Sequence, residues 1–192
     1  QVHYDNPNLE AGLKDNSGVR MWLSSDSREH EAGTIQLGDP AVRVSSIAGM
    51  KIPPGRSMWE FKCPSSVTQN WHEITVIGSI LHMHQIGDMM YLEVKDAAGG
   101  VITRPNAVQY FDFAHQDATL VEPFKIRPGD ELITRCYYDN TGNKDVAFGL
   151  GSEEEMCIDF ITYYPYLEPN RDALAATQYC GFVTNGQFTN TE

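Results

Sequence analysis

Positive charge is scarce in this sequence: 14 lysine and arginine residues stand against 26 aspartate and glutamate residues, a net charge of −12. A surface that binds phosphate groups needs clustered basic residues, so this balance argues against a nucleic-acid partner. No apolar run is long enough to span a bilayer, and we therefore expect no transmembrane segment. What remains is an acidic chain of 192 residues, 41% of them hydrophobic, which is enough to form a core.

Cysteine is also sparse, with four residues and no CxxC spacing, which argues against zinc ribbons and dithiol redox motifs. An even number fits two disulfides, for which the sequence alone leaves three connectivities open. Disulfides indicate an oxidising compartment, so we expect a protein that is secreted, luminal or on an extracellular surface. The alternative is four buried free thiols in a cytosolic protein. The four are Cys63, Cys136, Cys157 and Cys180.

Turn-forming residues recur at short intervals and separate runs rich in valine, isoleucine, phenylalanine and tyrosine. Examples are the segments 52–55 (IPPG), 127–130 (RPGD) and 140–142 (NTG). Short strands at this spacing are typical of sandwiches and jelly rolls. We therefore predict an all-β fold, a jelly-roll-like antiparallel β-sandwich. Near the C-terminus, residues 170–181 predict a short helix that begins at an asparagine cap and stops at a glycine.

Two histidines one residue apart, His82 and His84, lie in a stretch rich in β-branched and large apolar residues that predicts a strand. Side chains alternate faces along a strand, so both histidines project from the same side while Met83 points the other way. Two imidazoles placed in this way can close on one metal ion. The pair alone would suit zinc, iron, nickel or copper equally.

Met156 is the residue that would decide between these metals. It follows a glycine-rich, acidic loop and precedes an apolar run, so it falls at a predicted junction between loop and strand, where ligands are often presented. A thioether is a soft ligand and selects copper, above all Cu(I). Against this, most of the seven methionines must be packing residues, and paired histidines also occur in strands that bind no metal.

Three segments together carry a resemblance to a known family. They are His82-Met83-His84, followed by Gly87; the run 127–136 (RPGDELITRC); and 154–157 (EEMC), followed by 163–165 (YYP). In order and spacing they resemble the copper type II, ascorbate-dependent monooxygenases, most of all the dopamine β-hydroxylase branch, and the likeness covers nearly the whole chain. By position, the resemblance implies that His82, His84 and Met156 hold the oxygen-activating, substrate-side copper.

The resemblance also implies a division of the chain. Residues 1–40 would be the last strands of a preceding, truncated copper domain with a connection, 41–167 the copper-binding sandwich, and 168–192 a tail. His3 would be one ligand of a second, electron-transfer copper, whose other ligands belong to an upstream domain that we expect in the complete protein. The implied disulfides are Cys136–Cys157 and Cys63–Cys180, the second of which ties the tail to the sandwich.

The activity that the resemblance implies is hydroxylation of an activated C–H bond with O2, copper as cofactor and ascorbate as reductant. The substrate is a small molecule, with amines among the candidates. A peptide is disfavoured, because the arginine and asparagine with which the peptide-processing branch grips a carboxylate are not found. Each turnover needs two electrons, so we expect the isolated chain to be inactive. Met83 departs from the family, which has threonine at this place.

Two other interpretations fit parts of the sequence. In the first, the chain is a secreted, non-enzymatic β-sandwich module, structural or copper-binding, derived from the same family. In the second, it is an iron cupin, a fold that also begins from paired histidines on a strand. A cupin requires a glutamate shortly after His84, but Asp88 stands there. It also requires a histidine after the Pro128-Gly129 turn, where there is none. The cupin reading is therefore set aside.

Overall fold

The computed structural model describes residues 4, 6, 8–39, 49–168 and 179–188. Within these ranges the regular structure is β-strand, apart from one short helix, α1 (Ser65–Thr68), and no helix there is long and apolar enough to cross a membrane. The strands are β1 (Gly33–Gly38), β2 (Lys51–Ile52), β3 (Gly55–Cys63), β4 (Ile74–His82), β5 (Gly87–Lys95), β6 (Val101–Thr103), β7 (Ala107–Val108), β8 (Thr119–Ile126), β9 (Glu131–Asn140), β10 (Val146–Ala147), β11 (Ile158–Tyr164), β12 (Tyr179–Cys180) and β13 (Phe182–Phe188).

The strands form two main sheets. The first has the order β12-β1-β11-β4-β8, and the second has the order β13-β3-β9-β5-β6 with β7 also paired to β5. Strands β2 and β10 make a separate two-stranded ribbon. Neighbouring strands run antiparallel, except that the short β12 lies parallel to β1. The all-β, largely antiparallel architecture predicted from the sequence is confirmed.

The core lies between the two sheets, because each cluster of buried side chains draws on both. In one cluster Ile35 and Ile161 of the first sheet join Leu92 and Leu132 of the second. Strand β3 shows the alternation of buried and partly exposed side chains that produces this core. Every second side chain from Ser57 to Cys63 is buried. A strand with one buried face shows this period of two, and burial of that face against the partner sheet is the main stabilising term.

Two disulfides cross between the sheets. Cys63 of β3 is bonded to Cys180 of β12, and Cys136 of β9 is bonded to Cys157, the residue before β11. The described chain has no free cysteine. The connectivity implied by the family resemblance is thereby confirmed, and each bridge belongs to a different one of the two core clusters.

The sandwich draws strands from outside residues 41–167. Strand β1 precedes residue 41 and pairs along its whole length with β11, because Ile35 and Leu37 alternate with polar neighbours and fill the core. Beyond residue 168, β12 and β13 add to the two sheets. The predicted C-terminal helix lies largely outside the described residues. Its last positions form β12, where Cys180 is held by its disulfide and by pairing opposite Leu37.

Candidate metal centre

Strand β4 carries the two predicted histidines to one end of the first sheet. His82 is the last residue of the strand, and His84 follows two positions later. Met83 between them is fully buried in the core cluster that contains Leu81, so it packs the sandwich as expected. The two imidazole rings meet edge to face, with their centroids 5.2 Å apart and their planes nearly perpendicular. The folded chain thus brings together the pair that strand alternation predicted.

Met156 lies two residues before β11, and its backbone is close to that of His84. In the antiparallel register of β4 and β11, the last pair is His82 and Ile158. His84 and Met156 each lie two residues beyond this pair. The backbone N–H groups of both residues donate to Glu155 Oε2, at 2.9 Å from His84 and 3.1 Å from Met156. Met156 is only 4% exposed.

The orientation of each imidazole is fixed by an acceptor on its Nδ1 atom. His82 Nδ1 lies 2.6 Å from Gln116 Oε1. The side-chain amide of Gln116 is oriented with its Oε1 atom toward His82, because its Nε2 donates to the carbonyl oxygen of Phe113. His84 Nδ1 lies 2.9 Å from the carbonyl oxygen of Glu154. In the neutral form of each ring, Nδ1 therefore carries the proton and Nε2 carries the lone pair that a metal would take.

Glu155 is a buried acidic group next to the histidines. Its carboxylate accepts from the backbone N–H groups of His84, Met156 and, through Oε1, Ile86 at 2.8 Å. Burial raises the pKa of the Glu155 carboxyl to about 7, against the opposing effect of the three N–H donors, which favour the charged form. In the sequence Glu155 belongs to the 154–157 motif, and nothing in the pattern predicts its contact with His84.

Aromatic rings and a cavity border the histidines. Phe160 lies 6.0 Å from His82 and Phe113 lies 5.7 Å from His84, measured between ring centroids. A cavity of about 290 Å³ adjoins the site, since Gln116, which contacts His82, is also part of its wall. The remaining lining includes Leu81, Asn106, Val108, Phe111, Asp112 and Asp117.

A second buried acid lies behind the cavity. Ser79 donates to Asp159 Oδ1 at 2.7 Å, and Asn106, which lines the cavity, donates to Ser79 Oγ at 2.9 Å. Asp159 is fully buried and its Oδ2 has no hydrogen-bond partner. Burial raises the pKa of Asp159 to about 7, while the hydrogen bonds from Ser79 and from the backbone of Ile80 act in the opposite direction.

The donor set suits copper. Among the described residues, no group of three or more histidine, cysteine, aspartate and glutamate side chains is placed to hold a metal ion. Two imidazoles and a thioether are the softer set that Cu(I) prefers. His3 lies outside the described residues, so its role as a ligand of a second copper stays a prediction. Of the other histidines, His30 stacks on Tyr164 and His115 pairs with Asp112.

Two kinds of comparison with known proteins agree. A model of the C-terminal domain of the copper type II ascorbate-dependent monooxygenases matches residues 30–188. Over 175 residues the chain is 33% identical to tyramine beta-hydroxylase of Caenorhabditis briggsae, an alignment that covers 88% of the chain and 29% of the relative. With DBH-like monooxygenase protein 1 of Homo sapiens the identity is 35% over 185 residues, covering 90% and 29%. With dopamine beta-hydroxylase of Canis lupus familiaris it is 34% over 174 residues, covering 86% and 27%. The chain spans less than a third of each of these relatives.

Proposed function

Because the chain belongs to the family of copper type II ascorbate-dependent monooxygenases, we propose that it is the domain that carries the oxygen-activating copper of such an enzyme. The ligands in this proposal are His82, His84 and Met156. The observation that carries it is the meeting of the two imidazole rings at the end of β4, where the backbone N–H groups of His84 and Met156 also share Glu155 Oε2 as their acceptor.

Copper bound there would supply one-electron redox chemistry toward O2, which a neutral set of two imidazoles and a thioether favours by stabilising Cu(I). The protein's own residues orient the ligands and shape their surroundings. Gln116 and the Glu154 carbonyl hold the imidazoles in one tautomer and orientation. Phe113 and Phe160 border the histidines with apolar surface, which lowers the local polarity and keeps water away.

The substrate in this proposal is a small molecule that enters the cavity beside His82. A volume of about 290 Å³ lies at the lower end of the range for small-molecule sites, which disfavours a peptide. Apolar side chains such as Phe111 would take a hydrocarbon or aromatic part, and the carboxylates of Asp112 and Asp117 favour a cation. An amine fits this lining, as it does the names of the tyramine and dopamine hydroxylases among the relatives.

The complete reaction requires more than this domain. Hydroxylation of a C–H bond by O2 consumes two electrons, and ascorbate is the reductant named for the family. We propose that an upstream copper domain, to which His3 would contribute one ligand, supplies the second electron. The two disulfides further suggest an oxidising compartment, so we propose a secreted or luminal location. The competing function is a non-enzymatic copper-binding or structural module.

Metal binding tests the ligand set directly. We expect the chain to bind about one Cu(I), and His82→Ala or His84→Ala to weaken binding by roughly tenfold or more, since each removes one of three ligands. A competition titration against a chromophoric Cu(I) chelator measures this. His72→Ala is the control, because His72 is exposed and lies before β4. Unchanged affinity in both site variants would exclude these ligands.

A further inference from the structure

The hydrogen-bond ladder between β4 and β11 ends before it reaches two of the three proposed ligands. Its last pair is His82 with Ile158, and His84 and Met156 each lie two residues beyond that pair. Their backbone N–H groups both donate to a side chain, the carboxylate of Glu155. One carboxylate oxygen thus links the backbones of the two residues.

Glu155 is itself held from several directions. Its backbone N–H donates to the carbonyl oxygen of Ala147 at 2.8 Å, and its carbonyl accepts from the N–H of Gly149 at 3.0 Å. Its second carboxylate oxygen accepts from Ile86, two residues beyond His84. The side chain is 1% exposed. A buried carboxylate with this many anchored donors has little freedom to change its position.

We propose that Glu155 is a positioning residue that fixes Met156 relative to His84 before any metal arrives. This inference rests on the ligand set proposed above and adds to it the device that assembles the set. A thioether carries no charge and is a weak ligand, so attraction to the metal contributes little to ordering it. Its place in the coordination shell therefore depends on a scaffold that holds it there in advance.

The test compares Glu155→Gln with Glu153→Gln. Glutamine matches glutamate in size, but its NH2 group must face either Ile86 or the pair His84 and Met156, so at least one N–H bond is lost and the charge that strengthens the others is removed. Glu153 is exposed, two residues away on the same loop, and its substitution changes the charge by the same amount. In the metal-free protein, we expect faster hydrogen exchange within the set of amides of His84, Ile86 and Met156 only in Glu155→Gln.

The metal-bound protein gives a readout that general loss of stability would not move. With Cu(I) added, X-ray absorption of the wild type should show a sulfur scatterer beside the imidazoles, and the methyl resonance of Met156 should shift. In Glu155→Gln the imidazole signal should remain while the sulfur scatterer and the methyl shift weaken. Affinity for Cu(I) should fall by roughly 10–100-fold, the range for losing an outer partner of a ligand.

The possible results separate the two proposals. A wild type that shows copper–sulfur scattering, together with a Glu155→Gln variant that keeps it at full affinity, would refute the positioning role alone. A wild type without any sulfur scatterer would refute the ligand set, and the role of Glu155 with it. If Glu155→Gln fails to fold, Glu155→Asp replaces it. Aspartate keeps the charge but is one methylene too short, so the same loss of sulfur is expected.

Discussion

At the scale of single residues, the identity of the metal in the proposed ligand set depends on Met156. The two imidazoles suit several ions, and only the thioether would distinguish copper among them. The Met156 side chain is buried, and its backbone shares an acceptor with that of His84. Its removal should therefore change which metal is preferred more than it changes the fold.

We predict that Met156→Leu lowers Cu(I) affinity by about tenfold or more, roughly 1.4 kcal/mol, while Zn²⁺ affinity changes little. Leucine nearly preserves the apolar volume, so the unfolding midpoint should fall only slightly. Parallel titrations with the two ions measure the difference. Met90→Leu is the matched control, since Met90 is a fully buried core methionine in β5. Equal loss of Cu(I) affinity in both variants would contradict the assignment.

The burial of Asp159 leads to a prediction about how the free energy of unfolding depends on pH. Burial raises the pKa of Asp159 in the folded protein to about 7, above the ordinary aspartate value of 3.8, so between these values the folded protein binds the proton more tightly than the unfolded chain. The contribution of Asp159 to stability is therefore present at low pH and is lost as the pH rises through about 7. We expect Asp159→Asn to flatten this fall in unfolding free energy.

Urea unfolding at several pH values from 5 to 8 would measure the effect of Asp159→Asn. Between pH 5 and 7 the wild type should lose up to about 1.4 kcal/mol of unfolding free energy per pH unit through Asp159, and this loss should level off above pH 7. Asp145→Asn, on an exposed loop, removes the same charge and should leave the slope unchanged. Parallel pH profiles for wild type and Asp159→Asn would show that the buried carboxyl does not titrate in this window.

At the scale of elements, the pairing of β4 with β11 builds the site, and part of it could be predicted. Strand alternation alone places His82 and His84 on one side, because that property is local. The roles of Gln116 and Glu155 could not be predicted in the same way. Gln116 reaches His82 from a loop 34 residues away that has no periodicity, and Glu155 acts through a register that exists only after folding. The disulfide pairing came from the family resemblance, since the cysteine count leaves three choices.

The two inter-sheet disulfides should have separable effects. Cys63–Cys180 closes a loop of 117 residues and Cys136–Cys157 one of 21, so the chain-entropy model gives about 5 and about 3 kcal/mol. We predict that the Cys63→Ser/Cys180→Ser variant is the less stable of the two double variants but keeps its Cu(I) affinity. The Cys136→Ser/Cys157→Ser variant should lose less stability yet bind Cu(I) more weakly, because Cys157 adjoins Met156.

Urea unfolding and Cu(I) competition on both double variants provide the measurement, and each variant is the control for the other. If Cu(I) affinity instead fell in proportion to stability in both double variants, the Cys136–Cys157 disulfide would affect the site only through the stability of the fold.

At the scale of the whole molecule, the number of electrons limits what this chain can do. The hydroxylation proposed here takes two electrons for each O2, whereas one copper exchanges one. The site proposed here would hold one copper, and the chain covers 27–29% of the three relatives named above. If the proposed function holds, the site lies within this domain, whereas the complete reaction requires a longer protein.

The final prediction follows from this need for two electrons. The isolated chain, loaded with copper and given ascorbate, should show almost no O2 uptake coupled to product, whereas a longer protein that includes the upstream copper domain should hydroxylate a phenethylamine-like substrate. Oxygen consumption with mass detection of product measures both, and 18O2 shows whether the inserted atom comes from O2. Met156→Leu in the longer protein should abolish product while leaving the upstream copper bound.

Full activity of the isolated chain would refute the requirement for a second copper that supplies the second electron. A longer protein that binds copper at both sites but hydroxylates no member of a broad amine and hydrocarbon panel would instead favour the non-enzymatic module.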